Sequence, residues 1–448
     1  MRQNEASLLN SEPLAFATSS AKWWDTAYPR GVGRRARTVR CDATTTFSPR
    51  PALKPGGANT STLLDSKGSA TTPRLRLILE EGLPNEDGIF KCTSGKGLRP
   101  DRARAYSYWV AGLPNQGSIV TPLRILLFGL ISLLLAPISI LGFVAYMATL
   151  LLLNRRNGIS GTAYEPFMGR MMMHDVGDRE DVAAKKLSVT LPALPHPIWS
   201  LFMGPTMLAG RLSGYFPEAF RYPGPRPAGL ASAMGIRTEF FDRTLLASLK
   251  TVQQVVILGA GWDTRAYSLL LDWGHPVFEV DAPATQRAKM AALQKAGIDS
   301  SRVTFVEVDF NRQSWLERLE KHGFDPSRPT HLIWEGVTMY LEEEAITETL
   351  RTVSSFPPGS TLAFDYFARQ LVKAEPPLRL FGMIFTASIR WFYGESMVFG
   401  FDMEPPAKDK IAARLGEHEL DLLDYEILSG EEKGKIALYG FALASPAG

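Results

Sequence analysis

Past residue 250 the chain repeatedly presents a short apolar run followed by a stretch of helical spacing. The runs are QVVIL (254–258), PVFEVD (276–281), RVTFVEV (302–308), THLIWE (330–335) and STLAFDY (360–366). Helices are expected between them, over 264–272, 284–296, 312–322 and 342–354. Short strands without a wet face, alternating with helices, predict a doubly wound, mostly parallel α/β sheet covered on both sides. Two further strand-like runs, LLDYEIL (422–428) and IALYGFALA (436–444), follow a long insertion and are expected to close one edge.

The 448 residues suffice for one large domain or two ordinary ones. A formal net charge of +3 implies no strong field of one sign, and no basic stripe interleaved with aromatics accompanies the glycine-rich half. A nucleic-acid partner is therefore not expected. Both cysteines, Cys41 and Cys92, fall in the N-terminal quarter, which fits a reducing compartment for the remainder. The histidines, at 174, 196, 275, 322, 331 and 418, never fall at metal-ligand spacing, so no metal is expected.

Residues 1–118 are rich in Ser, Thr, Gly, Pro and Arg without hydrophobic period. They bury too little to offset the entropy of ordering, and a disordered extension is expected there. Acids at Glu5, Glu12 and Asp25 weaken a transit-peptide reading, and no signal-peptide apolar core is expected. Then ILLFGLISLLLAPISILGFVAYMATLLLL (125–153) carries no charge, bracketed by Arg124 and by Arg155 and Arg156. A bilayer core takes about 20 apolar residues. A single transmembrane helix is expected over 123–154, tilted or kinked at Pro137, with its orientation open because both flanks are basic. Residues 158–236 read as a helical cap, in which the methionines 171–173 are adaptable core packing.

The first strand runs straight into Gly259-Ala260-Gly261. A glycine bend lets backbone approach a ligand, and a helix expected just after it would offer free N–H groups. An acid ending the next strand suits a ribose diol, and Glu279 and Asp281 stand there. A dinucleotide fingerprint would want glycine at 264; Thr264 follows Asp263 instead. An acid there suits a ligand with a cationic centre better than a pyrophosphate. Such a ligand, a sulfonium carrying an ammonium and a carboxylate, also wants an arginine, and Arg237 lies upstream. Asp309 and Glu335 end the third and fourth strands, at the crevice where open α/β sheets bind ligands. Together these residues favour S-adenosylmethionine over NAD.

The runs VVILGAGWDTRAY, FEVDAPATQRAK, VEVDF and LIWEGVTMYL resemble those of the leucine carboxyl methyltransferase-like S-adenosylmethionine-dependent methyltransferases. The resemblance covers residues 228–448, with GISGTAY and the cap. It implies a class I, Rossmann-like methyltransferase domain over 237–448. It also implies that Arg237 holds the cofactor carboxylate and that Gly259 and Gly261 cradle its methionine portion. Asp281 would take the ribose, Asp309 and Phe310 the adenine end, and Glu335 the amino group. Tyr340 would lie near methyl transfer. The family's early basic residue has no clear counterpart, with Arg170, Lys185 and Lys186 all open. Residues 1–157 have none in the soluble members, which puts the substrate class in doubt.

A carboxylate acceptor needs no base, whereas a hydroxyl does. The bases in view are His331, near a strand start and pointing away, and His174 in the cap; their scarcity favours a carboxylate, though a phenol or enol of lowered pKa would also serve. Substrate choice is expected in the cap and in the insertion 369–405, whose LRLFGMIFTASIRWFYGESMVFGF carries Arg379 and Arg390. The expected function is O-methylation of a carboxylate or hydroxyl on a lipophilic small molecule, at a membrane, with the catalytic domain in the cytosol. Protein C-terminal carboxyl methylation and a non-catalytic membrane scaffold are the alternatives; the oligomeric state is open.

Overall fold

The computed structural model describes residues 77–78, 93–94, 120–226, 228–428 and 434–447. Two compact units are distinguished, Met1–Ser107 and Tyr108–Gly448. In the first, Leu77–Ile78 pairs antiparallel with Thr93–Ser94. The rest of the extension expected over 1–118 lies outside the described residues, as do Cys41 and Cys92.

The second unit is built on a seven-stranded sheet. Its strands are β1 (Gln254–Leu258), β2 (Val277–Asp281), β3 (Val303–Glu307), β4 (Thr330–Trp334), β5 (Thr361–Phe367), β6 (Leu420–Leu428) and β7 (Tyr439–Pro446). The order is β3-β2-β1-β4-β5-β7-β6, with the first five parallel and β7 antiparallel to both its neighbours. This is the class I methyltransferase arrangement, and the expected edge closure is made by β7 lying between β5 and β6. Every residue of β1, β2 and β4 is buried. Their side chains alternate between two cores, one on each face. Val255 and Ile257 join Phe240 and Trp262, while Val256 and Leu258 join Trp334 and Phe364.

The helices are α1 (Val120–Asn157), α2 (Tyr164–Val176), α3 (Val182–Ser188), α4 (His196–Phe202), α5 (Gly204–Ser213), α6 (Ala233–Ser248), α7 (Pro283–Lys295), α8 (Trp315–Glu320), α9 (Glu343–Ser354), α10 (Arg369–Val372), α11 (Arg379–Tyr393) and α12 (Ala407–Gly416). One expected helix is missing. Over 264–272 only a single 3-10 turn, Arg265–Tyr267, forms. Asp263 accepts the Arg265 backbone N–H at 2.7 Å, and the Arg265 side chain turns wholly inward to buried acids, so the chain follows its ion pairs instead of continuing a helix.

α1 runs unbroken through Pro137. Within it, Thr121–Leu153 is long and apolar enough to cross a membrane, with a mean hydropathy of 2.5. Near its C-terminal end Tyr146, Met147 and Leu150 are buried in the main core. α4 and α5 pack along it in the opposite direction. A Cβ on Gly142 would fall 2.3 Å from the Phe202 nitrogen, and Gly214 faces Arg124. Small residues permit such close approach of backbones.

Candidate functional site

A cavity of about 590 Å³ lies at the carboxyl ends of β1, β2 and β4, bounded by α2, α6 and α11. Of the residues anticipated from the sequence, Arg237, Gly259, Gly261, Asp281, Phe310, Glu335 and Tyr340 line it together. Asp309 does not. Its half-exposed side chain caps the local turn, accepting the Asn311 N–H at 3.1 Å and pairing with Arg312.

The bend at β1 requires glycine twice. Gly259 (φ +65°) and Gly261 (φ +43°) both lie in the left-handed region. A Cβ on Gly259 would reach 2.2 Å from Val337 Cγ2, and one on Gly261 3.0 Å from Ala163 Cβ. Asp281 holds the bend from below, accepting the Gly261 N–H and, at 2.6 Å, that of Ala282. Burial pushes its carboxyl up to about 6, partly offset by those two N–H donors. Its neighbour Glu279 turns away to Lys289 at 2.7 Å, with burial lifting it to about 7. Of the two acids the sequence offers for a ribose, only Asp281 reaches the cavity.

Beneath the cavity lies a buried network of alternating charge. Arg265 binds Glu335 and Asp263 at 2.5 Å and Asp242 at 2.7 Å. Arg237 donates from Nε to Glu335 Oε1 at 2.8 Å and lies 3.3 Å from Asp365. Arg170 approaches Glu335 at 3.5 Å, and Arg179 bridges Asp181 and Asp242. Five carboxylates thus meet four guanidiniums, a balance that suits a ligand of positive charge. Against the upward push of burial, Arg265, Arg237 and Arg170 hold Glu335 below its ordinary range.

Within that network Arg237 Nη2 is buried with no hydrogen-bond partner. An orphaned guanidinium nitrogen on a cavity wall is costly unless a guest anion meets it. With the glycine bend, these charges are compatible with S-adenosylmethionine, a ligand that carries a carboxylate, an ammonium and a ribose. Arg170, one of three basic residues left open by the sequence, lines the cavity; Lys185 instead pairs with Asp175 on the surface, and Lys186 is exposed.

The sequence reading missed five acids, Asp181, Asp242, Asp365, Glu165 and Glu395, and two arginines, Arg179 and Arg265. Arg265 is the hub of the network, and its signal was the DTR run itself. Asp242 and Asp365 are separated from their partners by too much chain for any spacing rule. Glu165, early in α2, and Glu395, just beyond α11, line the cavity. Glu395 accepts the Gly161 N–H at 2.6 Å and the Ser160 hydroxyl at 3.0 Å, tying the 158–162 loop to the end of α11. The histidines considered as bases lie elsewhere. His331 is buried at the start of β4 against Thr361, with burial lowering it to about 3, and His174 accepts the Asp181 N–H. Arg379 and Arg390 are exposed, and neither lines the cavity.

Residues 215–354 match the family model of leucine carboxyl methyltransferase. A Mycobacterium marinum protein, assigned by inference to the S-adenosyl-L-methionine-dependent methyltransferases, is 37% identical over 171 residues, covering 37% of this chain and 52% of its own. A Mycolicibacterium gilvum protein of the same assignment is 38% identical, covering 36% and 52%. The chain thus spans about half the length of the curated relatives it matches. Magnesium protoporphyrin IX methyltransferase from Synechocystis aligns with a TM-score of 0.32 and 13% identity, covering 50% of this chain and 90% of its own, which adds nothing to the sequence match. The region that holds the glycine bend, Asp281 and Glu335 is the part of the chain that matches the leucine carboxyl methyltransferase family model.

Proposed function

We propose that the protein is a membrane-anchored, S-adenosylmethionine-dependent O-methyltransferase acting on a lipophilic small molecule. The observation that carries the reading is the two-sided cavity. One wall is the charged network with the unpartnered Arg237 nitrogen; the other is apolar, formed by Phe381, Phe385 and Ile389 of α11.

The bound cofactor supplies a methyl group already activated by a sulfonium. The chain contributes orientation and a dry site. Arg237, Glu335 and Asp281 fix the donor end, and the α11 wall excludes water from the acceptor end. The outer face of α11 is apolar too, with Leu380, Met383, Ile384 and Trp391 exposed at helical spacing. α11 packs against α1, whose outer residues such as Leu133 and Leu134 are largely exposed. A helix apolar on both faces, beside a candidate membrane span, suits a site that takes its acceptor from the bilayer.

The test uses the full chain in nanodiscs with a labelled methyl donor and a membrane lipid extract. Transfer of label to an organic-soluble product is expected. Transfer to water-soluble peptides alone would contradict the lipophilic acceptor, and release of the chain from membranes by alkaline carbonate would contradict the anchor.

A further inference from the structure

The acceptor end of the cavity carries more chemistry than an apolar wall. Among the described residues lining the cavity, the only basic side chains are Arg170 and Arg237, and both are engaged with Glu335. Two further carboxylates, Glu165 and Glu395, line the cavity with Tyr340. The Glu395 carboxylate is committed to the 158–162 loop. Glu165 is not so committed. Its Oε1 accepts the hydroxyl of Tyr393, the last residue of α11, and its side chain is only half-buried, open on the cavity side. Glu165 therefore sits where the apolar α11 wall ends, held by Tyr393, and the cation that acts on it is Arg237, which is bound to Glu335.

We infer that the acceptor is a neutral lipophilic hydroxyl compound, a phenol or enol, and that the Glu165 carboxylate takes its proton. The inference rests on the methyltransferase reading above and narrows it. A carboxylate acceptor would bring a third negative charge against Glu165 and Glu395, and the cation nearby, Arg237, is already engaged by Glu335. A hydroxyl finds an acceptor for its hydrogen and pays no such penalty. The step balances within these groups. The O–H proton passes to Glu165 Oε2, and the oxygen's electron pair forms the bond to the methyl carbon. The carbon–sulfur bond breaks, returning its pair to sulfur and discharging the sulfonium. Burial raises the Glu165 carboxyl above its ordinary range, with the Tyr393 hydroxyl and Arg237 opposing, which brings it closer to a useful basicity.

The experiment offers the full chain in nanodiscs a labelled methyl donor with 4-octylphenol or nonanoic acid, and treats the products with mild alkali. Methyl ethers survive alkali, whereas methyl esters release labelled methanol. We expect alkali-stable label from 4-octylphenol and little from nonanoic acid. Glu165→Gln should lower kcat by a hundredfold or more with donor affinity unchanged within threefold. A cofactor-free readout accompanies this: the Glu165 charge should raise the pKa of bound 2-nitro-4-octylphenol, read by its absorbance, above that in Glu165→Gln. Alkali-labile label from nonanoic acid, full activity in Glu165→Gln, or an unchanged nitrophenol pKa would each overturn the inference while leaving the methyltransferase reading intact. Failure of the wild-type chain to bind the methyl donor would instead remove that reading, and this one with it.

Discussion

Arg237 and Glu335, 98 residues apart in sequence, are joined at 2.8 Å through the arginine Nε, while Nη2 of the same guanidinium is buried beside Gly336 without a hydrogen-bond partner. The pair joins α6 to the end of β4 and sets a guanidinium and a carboxylate side by side on the cavity wall, which the proposed function assigns to the carboxylate and ammonium of the methyl donor.

Replacing Arg237 with Met should weaken S-adenosylmethionine binding by roughly a hundredfold, since a charge-assisted contact of about 1.5–3 kcal/mol is lost. The variant also leaves Glu335 with Arg265 and Arg170, so the fold should persist. Calorimetric titration in detergent, with circular dichroism as the folding control, checks both halves. Unchanged affinity would move the cofactor carboxylate elsewhere.

The glycine bend should tolerate no side chain. Gly259→Ala must hold a Cβ at φ +65° and displace the Val337 methyl. The backbone alone costs about 1–2 kcal/mol. Lower stability by urea unfolding together with reduced cofactor affinity is expected; a variant equal to wild type in both would mean the bend adapts freely.

The Glu279–Lys289 pair lies wholly buried under the same bend. Lys289→Met strands a carboxylate and should cost about 3–5 kcal/mol, while adding Glu279→Gln should recover a large part. Urea unfolding of the two single variants and the double variant measures this; additive losses would show that the two residues act separately.

Stability should carry a pH signature of the raised carboxyls. Glu279 and Asp281 titrate near 7 and 6 in the folded chain, against about 4 when unfolded. Between those values the folded state binds the extra protons, so their contribution is complete below about pH 4 and is lost as pH rises toward 7. Urea midpoints at pH 5 and 7.5 should differ in that sense, with a smaller difference in Glu279→Gln. An equal difference in that variant would contradict the assignment.

Much of this was legible in the sequence because its causes are local. The strands β1 to β5 fall within a residue of the apolar runs that announce them, because each run is short and set off by residues of helical spacing. The glycine bend and the acid beside it were visible because a positive φ fixes the residue type and the strand ends fix the positions. What escaped depends on distant partners. The helix expected after Gly261 gave way because Arg265 satisfies Glu335, Asp263 and Asp242, a three-way tie no periodicity records. Glu165 and Glu395 face each other's neighbourhood across more than two hundred residues, and only folding brings both to one wall. Asp309 was read as a ligand residue from its strand-end position, but it serves its own turn.

The most direct measurement is calorimetric titration of the full chain with S-adenosylmethionine and with NAD, repeated for Asp281→Ala. One-to-one binding of S-adenosylmethionine, none of NAD, and loss of binding in a variant that stays folded are the predicted results. Affinity in Asp281→Ala within a few-fold of wild type, or a preference for NAD, would contradict the account.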